Sequence, residues 1–536
     1  MHAKKTKSAL ALGTGVLILL SIAMASLIPL YPDEVAYKVF LEGFISNGGI
    51  KQSVTPFCLS GFTYKPSLLL QPAAYFWSLL TATGEGWSSY RFIPLSLLIA
   101  LPGLALWHAY RAGSTWAIPI VSLVAVGPGI YGLLILRPEV YIIALSLLIL
   151  YSTNLVDAKK EWRIAIAAMM LTVFSFSLIC YLHPKGLYML PFALSTLWYL
   201  SLKSIAGIRG KLILGTLSLA TILIAHSALT MHSIQYLTCK EVNPIHIAMN
   251  SQSLNLSNLL LAPWATIKDF ARLFSNPLFS RGLHQLGYNI PPDIGYLPTP
   301  ENSMPAKIVN LLVISSLLTA FLFCISESLR SLKRAECISG EKALIKILWF
   351  LGLIIPYFVS LSKNWYDAAG FTGAICAAAY TYGTSNIATR RVKLLGALAL
   401  AGSSVSVLFV ATMHLPAFTG GYSGPGIPFN RSRFDVLHIA KVLISDKEVK
   451  GQESLIVDDY TYDAAKHRKS VLPLTYLRMI ENNPLLLKHT IEHHKAYYGI
   501  VVNPSISFLS SFDFKVLRSA RVGNTDKYVC LIKYIP

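Results

Sequence analysis

The sequence predicts a polytopic α-helical membrane protein, with about 11 transmembrane helices, that ends in a small extracytoplasmic α/β domain. Three observations carry this reading. The chain of 536 residues is 54% hydrophobic and only 13% charged, with a mean hydropathy of +0.53, too apolar for an ordinary soluble protein. Apolar runs of spanning length recur along residues 1–412, and the loops at every second crossing are basic. Over residues 413–536 the pattern changes to short β-rich runs.

The first element starts at "MHAKKTK" and runs apolar to Leu30. Ala23-Met24-Ala25 resembles a signal-peptide cleavage site, but the run is long enough to span, so it reads as an uncleaved helix starting in the cytoplasm. Further spans are expected at 92–110, 115–134, 140–156, 164–182, 187–202, 212–231, 307–327, 345–362, 369–387 and 394–412. The loops "HAYRAGS", "DAKKEWR", "KSIAGIRGK", "SESLRSLKRAECISGEKALIK" and "TRRVK" are basic and therefore cytoplasmic. The opposite side receives 31–91, 135–139, 183–186, 232–306 and 363–368, together with the chain after about 413.

Residues 66–82, "PSLLLQPAAYFWSLLTA", are apolar enough for a span, but a crossing there would put every later basic loop outside. Pro66, Pro72 and the short length fit a helix lying in the plane of the external surface, with a short, tilted span as the alternative. In the last segment, "ESLIVDDYTYDAAKHR", "KAYYGIVVNP", "FKVLRSARVG" and "KYVCLIKYI" read as strand-rich, and "LTYLRMIENNPLLLKHTIEHH" as partly helical. No internal repeat is evident, which weakens the case for an inverted-repeat transporter.

The formal charge of +20 is distributed as loop topology, with a remainder for anionic lipid or phosphate, and does not call for nucleic acid. The seven cysteines show no metal-ligand spacing. Cys180, Cys324 and Cys376 fall inside apolar runs, whereas Cys58 and Cys239 share the external side and form a candidate disulfide.

The external segments hold the residues able to do chemistry. "YPDEVAY" ends the first apolar run with Asp33 and Glu34; Tyr37 shares a helical face with Asp33 while Glu34 points about 100° away. Both acids also fit a plain interfacial helix end. Arg91 follows "GEGWSSY", and Arg137-Pro138-Glu139 places a cation and an acid at an external turn, where charges are costly and usually paired or functional. "YLHPKGLY" carries His183, a substrate ligand or a turn-capping group, and Lys185, a contact for phosphate or a lipid head group. "KNWYDAAG" adds Lys363, Tyr366 and Asp367, and "GLHQLGYNIPPDIGYLPTP" has the composition of a binding loop. These groups together suit an anionic lipid-linked substrate. No GxSxG, HExxH or Walker-type loop supports a hydrolase, zincin or nucleotide-driven pump.

The order of "YPDEVAY", "YKPSLLLQPAAYFWSLL", "GEGWSSYRFIPLSLL" and "LRPEVYIIALSLL" resembles membrane glycosyltransferases of the GT-C class, nearest to the protein mannosyltransferase and aminoarabinose transferase (family 39-like) superfamily. The likeness covers roughly the first 200 residues. It departs from the family pattern at "KPS", where many relatives have His or Lys before two prolines, and at Glu139, where related sequences often carry Asp. The resemblance implies transfer of a sugar from a polyprenyl-phosphate donor to a lipid, polysaccharide or protein acceptor at the external face of a bacterial inner membrane. It implies Asp33 as general base, Glu34 as the group holding the helix end or a neighbouring cation, and an acceptor-side place for Lys65. A phosphate leaving group needs cationic hydrogen-bond donors, for which Arg91, Arg137 and Lys185 are candidates, and neither a metal nor a cofactor is required. A secondary transporter or lipid flippase is the rival reading, and a noncatalytic envelope glycan-binding or assembly protein the third.

Overall fold

The computed structural model describes residues 2–25, 63–81, 87–111, 117–126, 138–159, 161–204, 208–238, 337–359, 390–418, 432–458, 460–465, 470–474, 483–504, 513–524 and 526–535, with a few isolated positions between them. The first half is built of α1 (His2–Ala25), α2 (Gln71–Thr81), α3 (Trp87–Arg111), α4 (Pro138–Lys159), α5 (Trp162–Leu182), α6 (Leu190–Ser204) and α7 (Ile208–Thr238). They are followed by α8 (Cys337–Val359) and α9 (Arg390–Phe418). Four stretches are long and apolar enough to cross a membrane: Lys5–Ala23, Ile93–Arg111, Trp162–Leu182 and Gly210–Ile234. Val140–Thr153 and Lys393–Val405 are shorter apolar helices. At 1.5 Å per residue α3 is about 37 Å long, whereas the 11-residue α2 reaches about 16 Å, half of a hydrocarbon core of about 30 Å.

Contacts fix the relative directions of these helices. Lys7 at the start of α1 lies 4.8 Å from the Tyr110 ring near the end of α3, and the hydroxyls of Ser8 and Tyr110 are 3.4 Å apart, so α1 and α3 are antiparallel. His108 of α3 meets Tyr151 of α4 with ring centroids 6.4 Å apart, deep along both helices, which makes these two parallel. The short turn between Lys159 and Trp162 makes α4 and α5 an antiparallel hairpin. The His232 Nε2–H, near the end of α7, donates to the Cys180 carbonyl near the end of α5 at 2.8 Å. One end of the bundle therefore holds the start of α1, the end of α3 and the start of α5. It is marked by Arg111 over the Trp107 ring (5.0 Å) and Arg163 over Trp162 (5.5 Å). Aromatic rings paired with cations at this level are the usual furniture of a membrane–water interface. The opposite end holds the starts of α3 and α4 and the ends of α1, α5 and α7.

Some boundaries differ from the sequence reading. Over the expected span 115–134, the described Pro119–Val126 is a 3-10 helix, tied to α9 by the Ser122–Ser403 hydroxyl contact of 3.0 Å. The expected span at 187–202 begins later, because Pro184–Met189 forms a 3-10 turn before α6. The basic loop ending at Lys346 is partly helical: α8 starts at Cys337 and carries Lys346 into the bundle, where only 7% of it is exposed. The spans expected at 307–327 and, but for three positions, 369–387 lie outside the described residues.

After α9, which runs to Phe418, come α10 (Ser432–Ile444) and α11 (Pro484–His494). Between and after them run β3 (Ser454–Val457), β4 (Ser470–Pro473), β5 (Tyr498–Val502), β6 (Phe514–Arg521) and β7 (Tyr528–Tyr534), while β1 (Lys51–Gln52) and β2 (Thr63–Tyr64) form a separate antiparallel pair before α2. The five-stranded sheet has the order β4-β3-β5-β7-β6, with β3 parallel to β4 and β5, and β7 antiparallel to β5 and β6. Both faces are covered, so β3 is buried throughout and lacks polar alternation. Leu455 and Val457 share one core with Val436 and Ala440 of α10, while Ile456 points the other way, toward Leu487 and Ile491 of α11. Gly499 is required between them: a Cβ there would lie 2.9 Å from the Ile456 Cβ. The α11-side core also contains Cys58 and receives Ile234 from the end of α7.

Candidate functional site

The helix directions determine where the predicted site residues fall. Arg91 lies in the first turn of α3 and Glu139 in that of α4, both at the end of the bundle opposite the Arg–Trp pairs. α1 also exits there, and the chain continues to Asp33, Glu34 and Tyr37. Those three residues, Arg137 and Asp367 lie outside the described residues, as do the side chains of Arg91 and Glu139.

His183 and Lys185 sit at the same end. His183 ends α5 in an extended conformation and caps the following 3-10 turn, its Nδ1 accepting the Lys185 backbone N–H at 3.1 Å. The neutral ring therefore carries its proton on Nε2, leaving that edge to donate. Pro184 opens the turn with a fixed φ, and Gly186 lets it fold back on α5, since a Cβ there would overlap the Ile179 carbonyl. Of the two roles the sequence offered His183, turn capping is the one its Nδ1 fills. Lys185 is partly buried one residue from the cap.

Over the starts and ends of these helices lies α2. Leu70, just before it, and its inner face of Ala73, Ala74, Trp77 and Ser78 are buried, and burying Leu70 alone is worth about 1.5–3 kcal/mol. Trp77 meets Tyr141 of α4 edge to face at 4.2 Å, and Phe76 meets Phe174 of α5 at 5.6 Å. Ser177 of α5 donates to the Leu69 carbonyl at 3.2 Å. Lys65 precedes this segment and is exposed beside the buried Pro66. Sequence reasoning did not single out Trp77, Tyr141 or His232, each of which helps join the segments at this end. "RPEVY" held the only signal for Tyr141, a phenol just inside a helix start.

Cys58, from the segment before α2, is disulfide-bonded, and Cys239, its expected partner, lies outside the described residues. Cys180, Cys376 and Cys530 are free and buried. Among the described residues no group of three or more His, Cys, Asp or Glu side chains is arranged to hold a metal ion.

No family model and no curated protein matches the chain. Among solved structures it is similar to the oligosaccharyltransferase of Archaeoglobus fulgidus in the apo form, at 13% identity and a TM-score of 0.46, over 92% of this chain and 69% of that one. It is likewise similar to the archaeal oligosaccharyltransferase AglB from the same organism in complex with an inhibitory peptide and a dolichol-phosphate, at 12% identity and a TM-score of 0.44, over 91% and 69% of the two chains.

Proposed function

We propose that the chain is a polyprenyl-phosphate-sugar-dependent glycosyltransferase of GT-C-like architecture, acting at the external membrane face on a cell-envelope acceptor. The observation that carries the reading is the gathering of the end of α1, the starts of α3 and α4 that carry Arg91 and Glu139, and His183 and Lys185 at one end of the bundle, opposite the basic and aromatic belt. In the reaction, the acceptor oxygen or nitrogen bonds to the anomeric carbon while the carbon–oxygen bond to phosphate breaks. The electron pair leaves with the polyprenyl phosphate, and the Asp33 carboxylate takes the acceptor's proton. Arg91, Arg137 and Lys185 hold the leaving phosphate. The direct test incubates membranes containing the protein with radiolabelled polyprenyl-phosphate sugars and envelope extract, following label into lipid, polysaccharide and protein. No transfer above membranes lacking the protein would end this reading.

The orientation follows from the basic loops and is supported by the antiparallel pairing of α1 and α3, which requires an even number of crossings between them. That fits an in-plane α2. The disulfide at Cys58 suits an oxidising compartment, and the packing of Cys58 with Ile234 and the sheet supports a common side for these parts of the chain. Cysteines introduced at Ser275 and Asn430 are expected to react with an impermeant thiol reagent added outside, and one at Lys333 is not. The reverse pattern would remove the site assignment.

Arginine geometry is expected to matter more than charge at the phosphate, because a guanidinium offers a planar fork of donors and an ammonium does not. Arg137→Lys is predicted to reduce kcat/KM for the donor by about tenfold or more, the worth of one charge-assisted hydrogen bond. Unchanged steady-state constants would reassign Arg137 to a structural role. Lys346, a buried cation within α8, is the one observation favouring a transporter or flippase. Its charge acts on His108 near the end of α3, at the belt end, so a transport pathway would need coupling charges elsewhere.

A further inference from the structure

The Tyr141 side chain is 4% exposed and lies in the first turn of α4, yet its hydroxyl has no hydrogen-bond partner among the described residues. In α2, next to Trp77, the hydroxyl of Ser78 is 0% exposed and in the same state. A buried hydroxyl without a partner forfeits its hydration for nothing, and such groups commonly mark the place of a ligand or ordered water. Helical side chains lean toward the N-terminus of their own helix, so the Tyr141 phenol lies over the opening turn of α4. That turn begins at Pro138, which has no N–H, and the N–H groups of Glu139 and Val140 have no acceptor within the helix. The positive end of a 22-residue helix and the unsatisfied Tyr141 hydroxyl therefore lie where α4 meets α2 at the Trp77–Tyr141 contact.

We propose that the seam between α2 and the first turn of α4 is a phosphate-monoester subsite, in which the Tyr141 hydroxyl, seconded by Ser78, donates to a phosphate oxygen of the lipid carrier. Tyr141 is thus a donor-binding residue. The chemistry selects a monoester anion: the subsite supplies neutral donors and a helix end, and a single phosphate fits that modest neutralisation. The inference rests on the lipid-phosphate reading above, and its test separates the two.

The purified full chain in detergent is titrated with a short-chain polyprenyl monophosphate and, separately, with the matching polyprenol. Wild type is expected to prefer the phosphate, and Tyr141→Phe to lose about ten- to a hundredfold of that preference, as for a hydrogen bond to a charged group, with its Tm unchanged or raised. Equal binding of phosphate and alcohol by wild type would remove the lipid-phosphate reading itself. A preference retained in full by Tyr141→Phe would overturn this subsite alone and leave bridging water as the occupant. Should Tyr141→Phe fail to fold, Ser78→Ala, in the adjoining α2, decides by the same comparison: a reduced preference supports the subsite and an unchanged one overturns it.

Discussion

Asp33→Asn is expected to abolish nearly all sugar transfer while leaving expression and donor binding intact. The amide keeps the size and hydrogen-bonding shape of the carboxylate but has no basic oxygen to accept the acceptor's proton. General-base assistance is worth about 10² to 10⁴ in rate, so kcat should fall by that factor with little change in donor KM. On the helical turn the sequence predicts, Glu34 would face about 100° from Asp33, and it should behave differently. Glu34→Gln is expected to retain measurable turnover and to show its defect in folding or donor retention. Single-turnover transfer, measured across pH with donor bound in advance, checks both. Near-normal transfer by Asp33→Asn at every pH would end the catalytic-base assignment and bring Glu139 and Asp367 forward.

Long apolar helices were legible because hydropathy and length alone determine them: α1, α3, α5 and α7 lie where the sequence places spans. The reading failed where two signals conflict. Lys346 falls on one helical stripe with Ala343, Phe350 and Leu353, all buried, but its charge and the polar residues before it made the start of α8 look like a loop. The 3-10 stretch at Pro119–Val126 is as apolar as a spanning α-helix, and hydropathy does not separate the two. β4 is four residues long after a basic run, too short for a period-two pattern to register. In the candidate site, charged residues stood out because charge at membrane depth is costly. Tyr141 did not, since a phenol at an apolar helical position looks like core until its hydroxyl is found without a partner. His183 needed coordinates for another reason: only the Nδ1 contact shows which of its two possible roles that nitrogen fills.

The largest stability effect is expected at Asp458, which ends β3 at the point where the sheet order reverses between β4 and β5. Its Oδ1 accepts the backbone N–H groups of Tyr460 and Thr461, each at 3.0 Å, and lies 3.0 Å from the Thr461 hydroxyl. Oδ2 accepts the Val502 N–H at the end of β5. One buried carboxylate thus ties the ends of two parallel strands to the turn that follows the first. Asp458→Ala leaves these buried donors without an acceptor, a loss of about 1–3 kcal/mol for each group left unsatisfied and about 2–5 kcal/mol in all. Burial raises the carboxyl above its ordinary range, and the backbone and Thr461 hydrogen bonds only partly offset it. An acid whose folded pKa exceeds its unfolded one binds the proton more tightly when folded, so the sheet should gain stability as pH falls through the folded value. Asp458→Asn should remove that pH-dependent gain, and its amide hydrogens, facing donors, should still cost about 1–3 kcal/mol. Hydrogen exchange of the β5 amides in the full protein, followed from pH 7.5 to 5, reads both effects locally. Protection in Asp458→Ala equal to wild type would show that the strand ends are held without this carboxylate.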